Sequence, residues 1–449
     1  LSVLTTGLLA DDASIVLLTE GASGPGLASP SNWHSGAAIG SQLSIIQAEI
    51  PSCRCRVIDL DPGIRPEAET LGHLILDDSQ EDRMAIREGQ VYGARLRHPA
   101  VATFDPDHRP PPAADNYRIA IAERGTLDAL EYRQAERAEP GPGDVEIRIR
   151  ATGLNFRDVL NVLGMYPGDP GPPGVEIAGE VVGVGSSVTH VAAGDRVFGL
   201  ANSAFAAYTT TPADGVARIP DTLSYEEAAT IPLAFLTAEW GLAHLAKMQK
   251  GDRVLVHAAA GGVGQAAVQL ALAAGAKVFA AVGSKEKRSF LESQGVTNIY
   301  SSRDASFAGE VLKDTDGEGV DIVLNALTGD MLRRSLELLN GNGRFIELGK
   351  AELLDETALA NDWPGVSYHA FDLGSVLIDT PAVFRELFES VLNRFESGVL
   401  RPLRTRTFMV DQVVSAFRYM AQARHIGKVV VTSASQMPGD GLSRLRDGT

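Results

Sequence analysis

The sequence predicts an α/β protein made of a short N-terminal α/β unit, a glycine-rich β domain and a parallel doubly wound domain. Three observations lead there. Strand and helix patterns alternate through residues 1–112, as in an α/β unit. Strand patterns separated by glycine turns follow from Tyr117 to Thr211, which suggests a compact, barrel-like β domain. From Arg253 onward apolar strands again alternate with helical stretches, a right-handed βαβ series.

The elements follow in order. Ser14 to Thr19 is an apolar strand. Gly36 to Ile50 carries Ala38, Ile39, Leu43, Ile46 and Ile50 at helical spacing. Arg54 to Leu60 is a second strand, and Leu71 to Leu76 and Glu81 to Arg87 are expected to be helical. No glycine-rich phosphate loop or Tyr-x-x-x-Lys pair occurs here, so this unit is expected to bind no nucleotide. Asp105 to Ala114, with Pro106, Pro110, Pro111 and Pro112, is expected to be an extended, semi-rigid linker, although a surface loop within one domain would also fit. Tyr117 to Ala122, Leu130 to Gln134 and Val145 to Ala151 are strands, with turn chemistry at Pro140 to Asp144. Gly174 to Val182, Arg196 to Gly199 and Ala206 to Thr211 continue them. From Ser224 the pattern is helical. Strands are then expected at Arg253 to His257, Lys277 to Val282, Ile322 to Asn325 and Arg344 to Leu348, with a helix at Gly264 to Ala273. Helices at Ala382 to Ser397 and Asp411 to Ala421 precede a last strand, Lys428 to Thr432. There are no internal repeats.

Bulk composition excludes several function classes. A net charge of −17 disfavours non-specific contact with nucleic acid or an anionic membrane. No apolar run approaches the roughly eighteen residues a membrane helix needs. The first residues lack a basic stretch ahead of their apolar ones, so no signal peptide is expected. They also lack an initiator methionine, which suggests a piece of a longer chain. The two cysteines, Cys53 and Cys55, stand two apart on a strand and cannot bridge normally. A reduced, cytoplasmic setting follows. Apolar residues are 44% of the chain, ordinary for a packed globular protein.

The sharpest chemical signal is Val254-Leu255-Val256-His257-Ala258-Ala259-Ala260-Gly261-Gly262-Val263-Gly264. An apolar strand enters a glycine turn, and a helix leaves it. Gly261 and Gly262 would let the backbone approach a pyrophosphate, and Gly264 would let the helix pack on the strand. Ala259 replaces the first glycine of G-x-G-x-x-G, so the weight rests on the strand–loop–helix context. An NAD enzyme carries a carboxylate about twenty residues further on for the ribose 2′-hydroxyl. Here Gly283 and Ser284 precede the cations Lys287 and Arg288, and Arg303 follows. A 2′-phosphate needs such donors, which favours NADPH. The same cations would also suit a solvated helix face.

With the loop placed, residues 116–434 resemble the medium-chain dehydrogenase/reductase superfamily. They are most similar to the enoyl reductase domains of polyketide synthases and animal-type fatty acid synthases. The carriers are Gly153-Leu154-Asn155-Phe156-Arg157-Asp158-Val159-Leu160, Gly164-Met165-Tyr166-Pro167-Gly168, Gly174-Val175-Glu176-Ile177-Ala178-Gly179, the loop above, and Arg344-Phe345-Ile346-Glu347-Leu348-Gly349-Lys350. Residues 1–112 resemble part of the structural, non-catalytic half of a ketoreductase from such a synthase. Gly40 to Glu49, Pro51 and Arg56-Val57-Ile58-Asp59-Leu60-Asp61-Pro62 carry that likeness.

The resemblance implies a GroES-like substrate domain from residues 113–232 and 370–434. It also implies a Rossmann cofactor domain at 233–369, a truncated Rossmann-like subdomain before them, and a C-terminal linker at 435–449. It implies NADPH-dependent reduction of an α,β-unsaturated thioester. The substrate would arrive on an acyl carrier protein, with ketoreductase and dehydratase domains as neighbours in one multienzyme. Both cysteines lie outside the reductase region, so the zinc site of other superfamily members is not expected. Lys350, Asp372 and Tyr166 match the family's donor candidates. A structural Lys350–Asp372 salt bridge, a merely packed Tyr166, and water as the proton source stay open. Tyrosine at the place of Tyr166 goes, in related polyketide reductases, with a 2S methyl branch. Cofactor contacts are implied at Asn155, Ala260, Gly261, Gly262, Val263 and Gly264, although Asn155 equally suits a turn. Further contacts are implied at Gly283, Ser284, Lys287, Arg303, Asn325, Leu327, Gly349 and Phe371. A stand-alone quinone or enone reductase and a redox-inactive scaffold are the alternatives.

Overall fold

The computed structural model describes residues 14–20, 54–61, 66, 68–76, 82–87, 90–94, 107–112, 114–433 and 442–444. The chain divides into two units, Leu1–Phe104 with Gln436–Thr449, and Asp105–Ser435.

In the first unit, β1 (Ser14–Glu20) pairs in parallel with β2 (Arg54–Leu60), and β2 with β3 (Arg83–Arg87). β3 pairs antiparallel with β4 (Gln90–Ala94), which accepts the strand Leu442–Arg444 on its other edge. The expected helix Leu71–Leu76 is present and begins at Ala68. The helix expected at Glu81–Arg87 is instead β3. Its consecutive Met84, Ala85 and Ile86 are all buried, and so short an apolar run is equally a fully buried strand. Arg87 also reaches the buried Asp59 of β2 at 2.5 Å. The helix expected at Gly36 to Ile50 lies outside the described residues, as does Cys53.

The second unit begins with residues expected to form a spacer. Those described are bound down instead. Asp107 accepts from Arg418 Nε at 2.7 Å, and Arg109 N donates to Asp411 O at 2.7 Å. A hairpin of β5 (Tyr117–Ile121) and β6 (Leu130–Gln134) follows. Next come β7 (Asp144–Leu154), β8 (Glu176–Val184), β9 (Arg196–Leu200), β10 (Tyr208–Pro212) and β11 (Val216–Arg218). The nucleotide-type sheet holds β12 (Arg253–Val256), β13 (Lys277–Val282), β14 (Asn298–Ser301), β15 (Val320–Asn325), β16 (Leu339–Glu347) and β17 (Ser367–Ala370). β18 (Thr405–Met409) and β19 (Lys428–Thr432) then return to the first of these sheets, whose order is β11-β9-β8-β7-β19-β18 with β10 on β7.

The six-stranded sheet is wholly parallel in the order β14-β13-β12-β15-β16-β17. Counted along the chain this is 3-2-1-4-5-6, the doubly wound order, and its switch point lies between β12 and β15. Strands buried on both faces read as continuous apolar runs, which is why β12, β13 and β19 were legible. A shared core joins the two sheets. Phe235, Val256 and Ile346 pack in one cluster with Phe198, Phe388 and Val430.

Candidate active site

The loop after β12 is built as its glycines require. Gly261 precedes the helix Gly262–Ala273. A Cβ on Gly264 would stand 2.4 Å from Ala258 O and 2.6 Å from Ala259 Cα, so the helix can approach the strand only with glycine there. The helix's first N–H groups have no partner within it and carry its positive end. The loop is also held from the β domain. Gly427 N donates to Ala260 O at 2.8 Å, and Gly261 forms a parallel bridge with Gly427.

Ser284, Lys287 and Arg303 meet at the end of β13. Ser284 caps the helix Lys285–Ser293, accepting from Lys287 N at 3.3 Å. Arg303 Nε donates to Gly283 O at 2.7 Å, and Lys287 Nζ to Ala423 O at 2.8 Å. Burial, then the neighbouring Arg303 charge, lowers the Lys287 pKa. His425 is held neutral, its pKa pushed down to about 4 by burial and by Lys287 and Lys428. Its buried Nδ1 has no partner in the protein. Two cations in mutual repulsion beside an unsatisfied ring nitrogen fit an anionic group such as a 2′-phosphate. Glu286 interacts with Ser284, and its pKa is lowered by that bond.

Lys350 and Asp372 are brought together beyond the ends of β16 and β17. Lys350 Nζ donates to Phe371 O at 2.6 Å and stands 3.8 Å from Asp372 Oδ2. Asp372 also caps the helix Leu373–Asp379, its Oδ1 accepting from Gly374 N at 2.9 Å and Ser375 N at 3.3 Å. The two side chains are 26% and 41% exposed, so their attraction contributes only about 0–1 kcal/mol to stability. Tyr166 lies under Arg157, whose guanidinium is 5.3 Å from the ring centre. Burial raises the Tyr166 pKa, Arg157 opposes that, and the Asp372 charge raises it further. Tyr166 thus shares the electrostatic surroundings of Asp372.

Asn155 stands elsewhere in the chemistry. Its Nδ2 donates to Glu176 Oε1 at 2.6 Å, and its Oδ1 accepts from Lys428 Nζ at 2.5 Å. Lys428 also pairs with Glu176, and these two residues are 3% and 0% exposed. Asp158 accepts from Asn155 N and Gly174 N, while burial pushes its carboxyl up to about 6. Sequence reasoning missed Glu176, Lys428 and Glu347 as parts of this machinery. Each is a charged residue within or at the head of an apolar strand, a pattern that itself calls for a buried partner.

Comparison with known proteins agrees with this architecture. Residues 141–221 match the family described as alcohol dehydrogenase GroES-like domain, and residues 294–431 that described as zinc-binding dehydrogenase. The zinc implied by the second description does not fit. The reductase unit has no cysteine, and among the described residues no cluster of three His, Cys, Asp or Glu could hold a metal. The mycocerosic acid synthase-like polyketide synthase of Mycolicibacterium smegmatis is 37% identical over 92% of this chain. The chain spans 20% of that relative's length. The Escherichia coli quinone oxidoreductase complexed with NADPH is 26% identical, with a TM-score of 0.65 over 70% of this chain and 99% of that one. CurK enoyl reductase is 42% identical, with a TM-score of 0.68 over 71% of this chain and 99% of that one. On that coverage and identity, this chain belongs to the polyketide-synthase enoyl reductases of the medium-chain dehydrogenase/reductase superfamily.

Proposed function

We propose that Asp105–Ser435 catalyses NADPH-dependent reduction of the α,β double bond of an enoyl thioester presented on an acyl carrier protein, during polyketide or fatty acid chain assembly. The observation that carries this reading is the Lys350–Asp372 pair beyond the ends of β16 and β17 in the cofactor-type sheet. NADPH, when bound, supplies hydride for the β-carbon. Gly261, Gly262 and the helix start receive its pyrophosphate, and Ser284, Lys287 and Arg303 its 2′-phosphate. Lys350 faces the negative charge that develops on the thioester oxygen, a role in which a preorganised cation lowers the barrier. The α-carbon then takes a proton from Lys350, Tyr166 or water. Residues 1–112 act structurally, as a ketoreductase half would, and neighbouring ketoreductase and dehydratase domains follow from the same reading. No helix of the described residues is long and apolar enough to cross a membrane. A cytoplasmic setting is supported by a sequence that holds only two cysteines, too close along one strand to bridge normally.

The test is NADPH oxidation with a crotonyl thioester and, separately, with a quinone. The thioester is expected to be the better substrate. Preference for the quinone would favour the oxidoreductase reading that the Escherichia coli likeness supports. No hydride transfer to either would leave a scaffold.

Cofactor choice gives a second expected result. NADPH binds at least about tenfold tighter than NADH, roughly 1.4 kcal/mol, and Arg303→Ala removes most of that margin. Equal affinities in the wild type, measured by fluorescence titration, would contradict the assignment of Ser284, Lys287 and Arg303.

Tyr166 gives a third. If its phenol protonates the α-carbon from one face, a 2-methyl-enoyl thioester yields the 2S product, and Tyr166→Val changes the stereochemical outcome. Chiral analysis of both products decides. Unchanged configuration in the variant removes Tyr166 from that role, and a wholly 2R product from the wild type shows that the family pattern does not carry over.

A further inference from the structure

We infer that Glu347 is a positioning residue, whose buried carboxylate clamps the ends of β15 and β16 and thereby sets where Lys350 and the cofactor-facing loops stand. This rests on the reductase reading above. Glu347 is the last residue of β16, 1% exposed, and lies directly opposite Asn325, the last residue of β15. Its Oε2 accepts from Asn325 Nδ2 at 2.7 Å and its Oε1 from Gly349 N at 2.6 Å. Asn325 in turn holds Leu327 by two bonds, donating to Leu327 O at 2.9 Å and accepting from Leu327 N at 3.2 Å. One carboxylate therefore joins the loops that leave β15 and β16, and Lys350 is the next residue beyond the clamp. A Cβ on Gly349 would lie 2.7 Å from Glu347 Oε1, so a side chain there would push the carboxylate from its present position. Farther out, Glu352 Oε2 accepts from Gly329 N at 2.7 Å and stitches the same two loops again.

Only a carboxylate satisfies this geometry. Both partners are donors, so both side-chain oxygens must accept. Glutamine of the same shape would turn an N–H toward a donor, and an apolar residue would leave the half-buried Gly349 N–H without this acceptor. The cost is a charge out of water. Burial pushes the Glu347 carboxyl up to about 7 against the pull of Asn325, Gly349 and Lys350, and Glu352 adds to the rise. Glu352 and Lys350 are the charged groups acting on it, while its partner across the sheet, Asn325, is neutral. Protonation places a donor where an acceptor is required, so the clamp loosens as pH falls through about 7. Stability carries the opposite sign. The folded protein holds this proton more tightly than the unfolded chain. The resulting stabilisation is fully present below the ordinary value of 4.5 and is lost as pH rises through about 7.

The experiment compares wild type and Glu347→Gln between about pH 5.5 and 8.5, reading NADPH affinity by fluorescence, turnover with a crotonyl thioester, and the melting temperature without cofactor. The wild type is expected to lose NADPH affinity as pH falls through 7. The variant is expected to bind weakly throughout, to lack that step, and to turn over roughly tenfold to a hundredfold more slowly at pH 8. Its cofactor-free melting curve lacks the wild type's decline across pH 7. Titration of the NADPH phosphate affects both proteins alike, so their difference reads Glu347. Asn325→Ala serves where Glu347→Gln does not fold. It removes a bond that lowers the Glu347 pKa, so the step moves to higher pH. An unmoved step there, or a Glu347→Gln protein with wild-type affinity and pH profile, overturns the clamp. A wild type that neither binds NADPH nor reduces the thioester overturns the functional reading instead.

Discussion

Lys428→Met is expected to destabilise the reductase unit by about 3–5 kcal/mol, the cost of breaking a buried ion pair by removing one partner. The pair is unusually closed to water, with Lys428 3% and Glu176 0% exposed. Glu176 uses all its acceptors inward. It pairs with Lys428 and also accepts from Asn155 Nδ2 at 2.6 Å and from Leu233 N at 2.9 Å. Without the ammonium, two neutral donors must hold a full negative charge in the core. The network also ties β19 to β8 and to the start of the helix Pro232–Glu239, so its loss is felt in that sheet and in the helix packed on it. Chemical denaturation measures the effect. The double variant Glu176→Gln/Lys428→Met should recover part of the loss, because neighbours in one network couple by about 0.5–3 kcal/mol. A Lys428→Met protein as stable as wild type, or strictly additive single effects, would show that the pair carries no net interaction.

Lys350→Ala is expected to lower turnover about 10²–10⁴-fold, the range for a lost proton donor, with little change in stability. The second half follows from exposure, since a pair 26% and 41% accessible contributes about 0–1 kcal/mol. Asp372 needs a more careful substitution. Alanine would also remove the cap of the helix Leu373–Asp379, a loss of about 1 kcal/mol. Asp372→Asn keeps an accepting oxygen for Gly374 N and Ser375 N while removing the charge beside Lys350. It is therefore expected to fold normally and still turn over more slowly. Steady-state kinetics beside melting curves separate the two roles. Near-wild-type turnover in both Lys350→Ala and Asp372→Asn would falsify the catalytic assignment and leave a surface salt bridge.

The sequence by itself determined the layers and the glycine turn between β12 and the helix that follows it. β13, β19 and the β5–β6 hairpin follow from local patterns, because a strand buried on both faces must be apolar throughout and a turn must carry residues that tolerate it. Gly264 was legible for the same reason, since helix–strand contact leaves no room for a Cβ. Local pattern failed at Arg83–Arg87, whose apolar run suits a helix or a buried strand until β2 and β4 occupy its edges. At 107–112 the prolines predict extension or a surface loop, and only Arg418 and Asp411, far along the chain, decide that the segment is bound down. The site divides in the same way. Lys350 and Asp372 were named from their motifs, but which partners the buried charges take depends on contacts between strands distant in sequence. Asn155 meets Lys428 and Glu176, and Asn325 meets Glu347. A buried charge is an anomaly in the sequence. Its partner is chosen by sheet register and by the packing of the two sheets, so only the tertiary structure could show what each charge holds in place.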